Sequence, residues 1–339
     1  MRALWLHGPN DLRLQQVPEP VPGPGEAVLR VEVALTCATD AKMMRRGEHP
    51  ALPPLPAPFG HEAAGTVEAV GPGVTALSPG DRVAVANSAP CGACVDCLDG
   101  RANLCRRVTY LTGAFAERLL LPAPIVARNV HHLPPGLAVE QAAMIEPLAC
   151  AVHGAARCGA GDGDVVIVLG AGFQGLALTA ILADRGCRVV VCDPHEERRE
   201  RALRAGAAQA LAAPRDRAGM ASALAATPDG RGADAVVEAV GRPEAWRSAV
   251  ELARPGGEVL LHGGCPAGTE VSLPSGPLHY GELTVRGSYH HTPESVRRAL
   301  VLLAEGRLPA AELLGPPIGL EDVAATLAER GEKRPVVPA

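Results

Sequence analysis

The chain has 339 residues, of which 47% are hydrophobic and 20% charged, with a net charge of −5. That composition excludes a disordered chain and allows two domains, each able to bury a core without a metal to stabilise it. No block of like charge suits a polyanion, and aromatic residues make up only 2%, so stacking on nucleic-acid bases is not expected.

No apolar run reaches the roughly 18 residues of a membrane span, and the N-terminus lacks the basic and apolar pattern of a cleavable signal. The expectation is a cytoplasmic protein with reduced thiols, in which ten cysteines include metal ligands rather than disulfides.

In chain order, the first 150 residues are rich in Pro and Gly. Short β-like runs cover Ala27–Val33, Ala64–Val70, Arg82–Ala86 and Ala116–Leu121. Turn signals such as Pro22-Gly23-Pro24-Gly25 and Gly71-Pro72-Gly73 separate them, so this part reads as an irregular, mainly β domain. The Pro-dense stretch Pro50–Pro58 is expected to be extended.

From about Gly161 the rhythm changes. Val165–Leu169 is a buried strand, Gly172–Arg185 a helix, Val189–Cys192 a second strand and Glu196–Ala205 a helix with a solvated, mixed-charge face. Strands Ala233–Ala239 and Glu258–His262 flank helix Glu244–Ala253; a strand near Thr284–Ser288 and helix Glu294–Glu305 follow. Alternation of strand and helix implies a parallel, doubly wound α/β sheet.

Strand Val165–Leu169 runs into Gly170-Ala171-Gly172-Phe173-Gln174-Gly175, a GxGxxG turn that opens a helix. Gly170 permits the tight turn, Gly172 lets backbone approach a pyrophosphate, and Gly175 lets helix and strand pack closely. Asp193 lies 18 residues after Gly175, at the end of the next strand. A carboxylate there accepts hydrogen bonds from ribose hydroxyls and repels a 2′-phosphate, so NAD is expected over NADP. Phe173, Gln174 and Arg198 complete the expected cofactor contacts.

Cys91, Cys94, Cys97 and Cys105 follow a C-x2-C-x2-C-x7-C spacing, with Gly92, Asp96 and Gly100 between them. Four thiolates in a short loop suit a closed, structural zinc site with no position left for substrate.

With these motifs in place, the chain resembles zinc-containing members of the medium-chain dehydrogenase/reductase superfamily over essentially its full length. The resemblance rests on Cys37-Ala38-Thr39-Asp40, Gly60-His61-Glu62-Ala63-Ala64-Gly65, Gly80-Asp81-Arg82-Val83, the cysteine loop, the glycine turn and Glu146-Pro147-Leu148-Ala149. The last of these looks most like the polyol and threonine dehydrogenase branch.

The resemblance implies a GroES-like catalytic domain over 1–149, with its zinc lobe at about 88–108. It implies a Rossmann domain over 150–287 and a segment 288–339 that returns to the catalytic domain. It also implies two zinc ions per chain, a catalytic one at Cys37, His61, Glu62 and Glu146 and a structural one in the cysteine loop. NAD, a small-molecule alcohol or ketone, and a homodimer or homotetramer complete the set, with neither nucleic acid nor membrane as partner.

Singly, Cys37 reads as a small buried hydrophobe, His61 as a loop histidine and Glu146-Pro147 as the start of a helix. Jointly, beside a nucleotide motif, they read as S, N and O donors around a zinc with one position open. One thiolate and two carboxylates overcompensate the ion, so one carboxylate is expected to yield during turnover.

The expected reaction is hydride transfer between a secondary alcohol and NAD, with zinc polarising the substrate oxygen. Thr39 resembles the family's relay hydroxyl. Where many relatives carry His, three residues further on, this chain has Lys42, a poor proton acceptor unless desolvated, which leaves His49, the ribose or water.

Tyr289-His290-His291 follows the last sheet strand, near where sorbitol dehydrogenases carry Arg and Tyr. An extended segment would turn the two histidine rings in opposite directions, so at most one is expected to face substrate. The alternatives are a zinc-free quinone reductase, which would lack these ligands, and a non-catalytic protein that binds NAD and zinc.

Overall fold

The structure, a computed structural model, describes residues 1–329 and 331–338. The chain divides into two compact units. One comprises Met1–Ala149, His291–Glu305 and Leu314–Ala339; the other comprises Cys150–His290 and Gly306–Leu313.

The first unit is built on strand Ala27–Leu35, whose Val- and Leu-rich sequence is buried along most of its length. Strand Ala63–Val70 pairs antiparallel with it, followed outward by Arg82–Val85 and Val130–His132. Arg118–Leu121 also pairs with Ala27–Leu35, and the late strand Pro335–Val336 closes against its end at Ala34 and Leu35. Phe59 and Phe115, with ring centroids 6.2 Å apart, sit in the core together with Leu29, Val67, Val85, Leu121 and Ile125.

A hairpin of Arg2–Gly8 and Asp11–Gln16, not anticipated from the sequence, pairs with Ala57–Pro58. The stretch Pro50–Pro58 departs from the extended expectation: it turns and bends, and only Ala57–Pro58 joins a sheet. Its prolines lack the N–H groups that a longer ladder needs.

Helix α1 (Ala38–Arg46) was also not anticipated. It is short, and its start is set by Cys37, whose Sγ accepts from the Thr39 N–H while Asp40 Oδ2 accepts from the Cys37 N–H. Gly47, at φ 70°, ends it in the left-handed region. Asp40, Ala41, Met43 and Met44 face the core. Glu146 and Pro147 lie in the first turn of helix α2 (Ile145–Arg157).

The second unit holds six parallel strands: β1 (Val165–Leu169), β2 (Arg188–Cys192), β3 (Gln209–Leu211), β4 (Ala233–Glu238), β5 (Ala253–Leu261) and β6 (Thr284–Gly287). Their order across the sheet is β3-β2-β1-β4-β5-β6. The order reverses between β1 and β4, which is where such sheets bind nucleotides outside the carboxyl ends of their strands. Every residue of β1 is buried, as its unbroken apolar sequence requires.

Helix α3 (Phe173–Asp184) follows β1, and helix α4 (Glu196–Arg204) follows β2. Most charged side chains of α4 are exposed or half-exposed, as expected of a mixed-charge face, but Arg201 turns inward. That side chain is buried, and its Nε donates to the Glu312 carbonyl at 3.0 Å, because the guanidinium reaches past its apolar stem to an acceptor far along the chain.

Candidate metal and nucleotide sites

Donor atoms of Cys37, His61 and Glu62 lie within 4.8 Å of one another. Cys37 is placed by the start of α1, and His61 and Glu62 by the turn that enters strand Ala63–Val70. Asp40, one turn into α1 and fully buried, takes His61 Nδ1 at 2.8 Å. With Nδ1 engaged, Nε2 is the ring atom left for a metal; it stands 3.6 Å from Glu62 Oε1. Burial opposes charge on the imidazole, yet Asp40 and Cys37 together raise it well above its usual range.

The sulfur of half-buried Cys37, the imidazole nitrogen of buried His61 and the carboxylate of buried Glu62 match the donor types a catalytic zinc takes, and the Asp40–His61 hydrogen bond matches the usual orienting partner of a ligating histidine. The cluster therefore fits the ion.

Sequence reasoning missed two parts of this arrangement. Asp40 was legible in principle, as the acidic residue three after Cys37. Lys333 was not: its ammonium, buried 271 residues away in sequence, donates to Glu62 Oε1 at 2.7 Å. Burial lowers the tendency of Lys333 to hold its proton, but Glu62 and Cys37 outweigh it and raise its pKa.

Glu146 does not lie within 4.8 Å of all three clustered donors. It is buried, and its Oε1 stands 3.6 Å from His291 Nε2. Burial first, and the charge of Glu62 second, push its carboxyl up to about 7. His291 Nε2 also reaches Asn87 Oδ1 at 3.1 Å.

The expected alternation of His290 and His291 fails. His290 adopts φ 59°, in the left-handed region, so the segment is not extended there and the period-two argument does not apply. His291 is buried, and His290 is half-buried.

Thr39 is half-buried in the first turn of α1, and Lys42 is exposed on the same helix. His49 Nδ1 accepts from the Ala51 N–H at 3.1 Å. Burial first, then the charges of His61, Arg46 and Lys42, hold this imidazole below its ordinary pKa.

The four loop cysteines gather with all sulfurs within 4.8 Å of one another. Cys94 Sγ is 3.5 Å from Cys97 Sγ and 3.8 Å from Cys105 Sγ. Four zinc–sulfur bonds of about 2.3 Å at tetrahedral angles place sulfurs roughly 3.8 Å apart, so this set also fits a zinc ion. N–H groups of Cys91 and Arg107 point at Cys105 Sγ, each at 3.3 Å.

In the second unit, Gly170 turns at φ 97°, and a Cβ on Gly175 would stand 1.8 Å from the Gly170 carbonyl oxygen. Neither position admits a side chain. Nothing lies within 4 Å of a Cβ built on Gly172, and no side chain caps the start of α3. The turn thus keeps an open approach to a helix N-terminus, which fits a pyrophosphate.

Asp193 is buried at the end of β2. Its Oδ2 accepts from the Ala171 N–H at 2.8 Å and its Oδ1 from the His195 N–H at 2.9 Å. The carboxylate therefore also braces the glycine turn, which the sequence did not reveal. Arg198 is half-buried on α4, while its neighbour Arg199 returns to the Asp193 carbonyl at 3.0 Å. Phe173 and Gln174 open α3, and Gln174 Oε1 meets His262 Nε2 at 3.1 Å, at the end of β5.

The arrangement defines a dehydrogenase with a metal-ligand cluster in one unit and a dinucleotide turn in the other. Comparison with known proteins agrees. The alcohol dehydrogenase GroES-like domain family matches residues 23–135, and the zinc-binding dehydrogenase family matches 175–305. L-galactonate-5-dehydrogenase of Escherichia coli K12 is 31% identical over 93% of this chain and 90% of its own length. Sorbitol dehydrogenase of Bombyx mori is 30% identical, covering 91% and 88%. A crystal structure from Sinorhizobium meliloti 1021, assigned as a zinc-binding dehydrogenase and bound to NADP, superposes with a TM-score of 0.90 at 29% identity, covering 99% of each chain.

The chain belongs to the zinc-containing medium-chain dehydrogenase/reductase family of alcohol dehydrogenases. Its fold combines the GroES-like and Rossmann parts of that family. Among the described residues, no helix is long and apolar enough to cross a membrane.

Proposed function

We propose that the protein is a zinc-dependent, NAD-preferring dehydrogenase that interconverts a polyol-like secondary alcohol and its ketone. The observation that carries this reading is the convergence of Cys37, His61 and Glu62 with His61 oriented by Asp40. The similarity to dehydrogenases of sorbitol and of galactonate supports a polyhydroxylated substrate.

Zinc, when bound, supplies Lewis acidity at the substrate oxygen, and NAD, when bound, accepts the hydride. Cys37 and His61 would hold the ion, with Glu62 and Glu146 as the carboxylates beside it. Glu62 is held by the buried Lys333 ammonium, which would balance its charge whether or not the carboxylate binds the ion. Glu146 and His291 are both buried, with Glu146 Oε1 3.6 Å from His291 Nε2.

Thr39 Oγ1 is the group assigned to the substrate proton. His49 does not suit the role of base as it stands. Its Nδ1 is taken by the Ala51 N–H, so in the neutral ring Nε2 carries the proton and donates. The preference for NAD rests on Asp193, whose charge disfavours a 2′-phosphate. The cysteine loop would hold the second zinc and order its own fold.

The test is a panel of polyols, sugar acids and simple secondary alcohols, followed by NADH absorbance with and without a chelator. Chelator-sensitive turnover of a secondary alcohol is expected. A zinc-replete protein that binds NAD and turns over no member of the panel would instead be a non-catalytic binding protein.

A further inference from the structure

Helix α1 leads away from the metal cluster, and its outward side is basic. Taking about 100° per residue, the buried residues Asp40, Ala41, Met43 and Met44 cover one side of the helix, Lys42 and Arg46 lie on the other, and the half-buried Arg45 sits at the border beside Ala41. Thr39, Lys42 and Arg46 follow one another at i, i+3 and i+7, so they share a face that begins two residues from Cys37. Over that interval the helix rises roughly 10 Å, the scale of a short polyhydroxylated chain.

None of the three cationic side chains forms an ion pair among the described residues, although Glu48 follows closely in sequence. Arg45 Nη1 is buried and has no hydrogen-bond partner. A buried, unpartnered guanidinium nitrogen is costly, and such a donor calls for an acceptor. His49 lies just beyond the helix, with its protonated Nε2 as a further donor, since Nδ1 accepts from Ala51. Arg45 and Arg46 also complement the dipole at the C-terminal end of α1, but that role is served by exposed charge and leaves the buried Nη1 unexplained.

We propose that this face binds an anionic group, carboxylate or phosphate, carried by the substrate at the end remote from the reacting carbinol. The proposal rests on the dehydrogenase reading and narrows its substrate class to sugar acids or sugar phosphates. The same chemistry is offered by the pyrophosphate of the dinucleotide, and the experiment separates the two sources.

The kinetic arm compares kcat/KM for sorbitol, gluconate and sorbitol 6-phosphate in the zinc-replete protein and in an Arg45→Gln/Arg46→Gln variant, with KM for NAD measured alongside. Wild type is expected to favour an anionic member. The variant is expected to lose roughly ten- to hundredfold of that preference, as removal of hydrogen bonds to a charged group implies. A loss shared equally by neutral and anionic substrates overturns the proposal. So does a rise in KM for NAD with the preference intact, which would give the face to the cofactor.

The binding arm uses calorimetry with gluconate, sorbitol and inorganic phosphate, and it reads the site even if no alcohol is turned over. Binding of gluconate or phosphate that the variant loses, with sorbitol weaker, supports the anion site independently of catalysis. Equal binding of gluconate and sorbitol, with no response to phosphate, overturns it. If the double variant does not fold, Arg46→Gln, on the exposed side of the helix, carries the same comparisons.

Discussion

Lys333 Nζ donates to Glu62 Oε1 at 2.7 Å, and both side chains are buried. Removing one member of such a pair leaves an unpaired charge in a low-dielectric site. Lys333→Met is expected to destabilise the protein by about 3 kcal/mol, and Lys333→Met/Glu62→Gln by clearly less. Urea unfolding of both variants measures this; equal losses would show that the two groups do not stabilise one another.

Asp40 should control metal retention rather than folding. In Asp40→Asn the side-chain oxygen can still accept from the Cys37 N–H, but the negative charge facing His61 Nδ1 is lost. A weakening of zinc affinity by about ten- to hundredfold is expected, as for other partners of ligating histidines. Competition against a chromogenic chelator reads the value, and unchanged affinity would remove Asp40 from the site.

If Asp193 holds the ribose as proposed, Asp193→Ala should weaken NAD more than NADP, because a carboxylate at that position favours a free ribose and disfavours a 2′-phosphate. Its bonds to the Ala171 and His195 N–H groups add a second effect, a lowered melting temperature without any cofactor. Fluorescence titration of both reduced cofactors, together with thermal unfolding, tests the two effects separately. Equal losses for NAD and NADP would contradict the assignment.

Glu238, at the end of β4, is buried, and its Oε2 has no partner while Oε1 accepts from the Val240 and Gly241 N–H groups. Burial pushes its carboxyl from 4.5 up to about 7, against the pull of those N–H groups. Between these values the folded chain binds more protons than the unfolded one. The stabilisation is therefore complete below about 4.5 and lost as pH rises through about 7. Glu238→Gln is neutral throughout, so its stability relative to wild type should rise over this window, by up to roughly 3 kcal/mol. Unfolding curves at about pH 5 and 8 measure the difference; parallel behaviour of the two proteins would refute it.

Much of the second unit was legible because its signals are local. An unbroken apolar run can only be a buried strand at that length, and Gly170 and Gly175 occupy positions where a side chain has no room. The strand order and the brace from Asp193 to Ala171 were not legible, since each joins segments across the sheet. In the first unit α1 escaped notice, because its nine residues are too few for a strong helical period and its cap is a cysteine rather than Ser, Thr, Asp or Asn.

The sequence by itself determined the donor types, the cysteine spacing, the glycine turn and the alternation of strand and helix, all of which act over a few residues through backbone sterics and ligand chemistry. Only the tertiary structure decided what surrounds those donors. Asp40 meets His61 from 21 residues away, Lys333 meets Glu62 from 271, and His291 meets Asn87 from 204. Burial and charge at a site are sums over every segment that packs there, and no local pattern encodes which distant segment arrives.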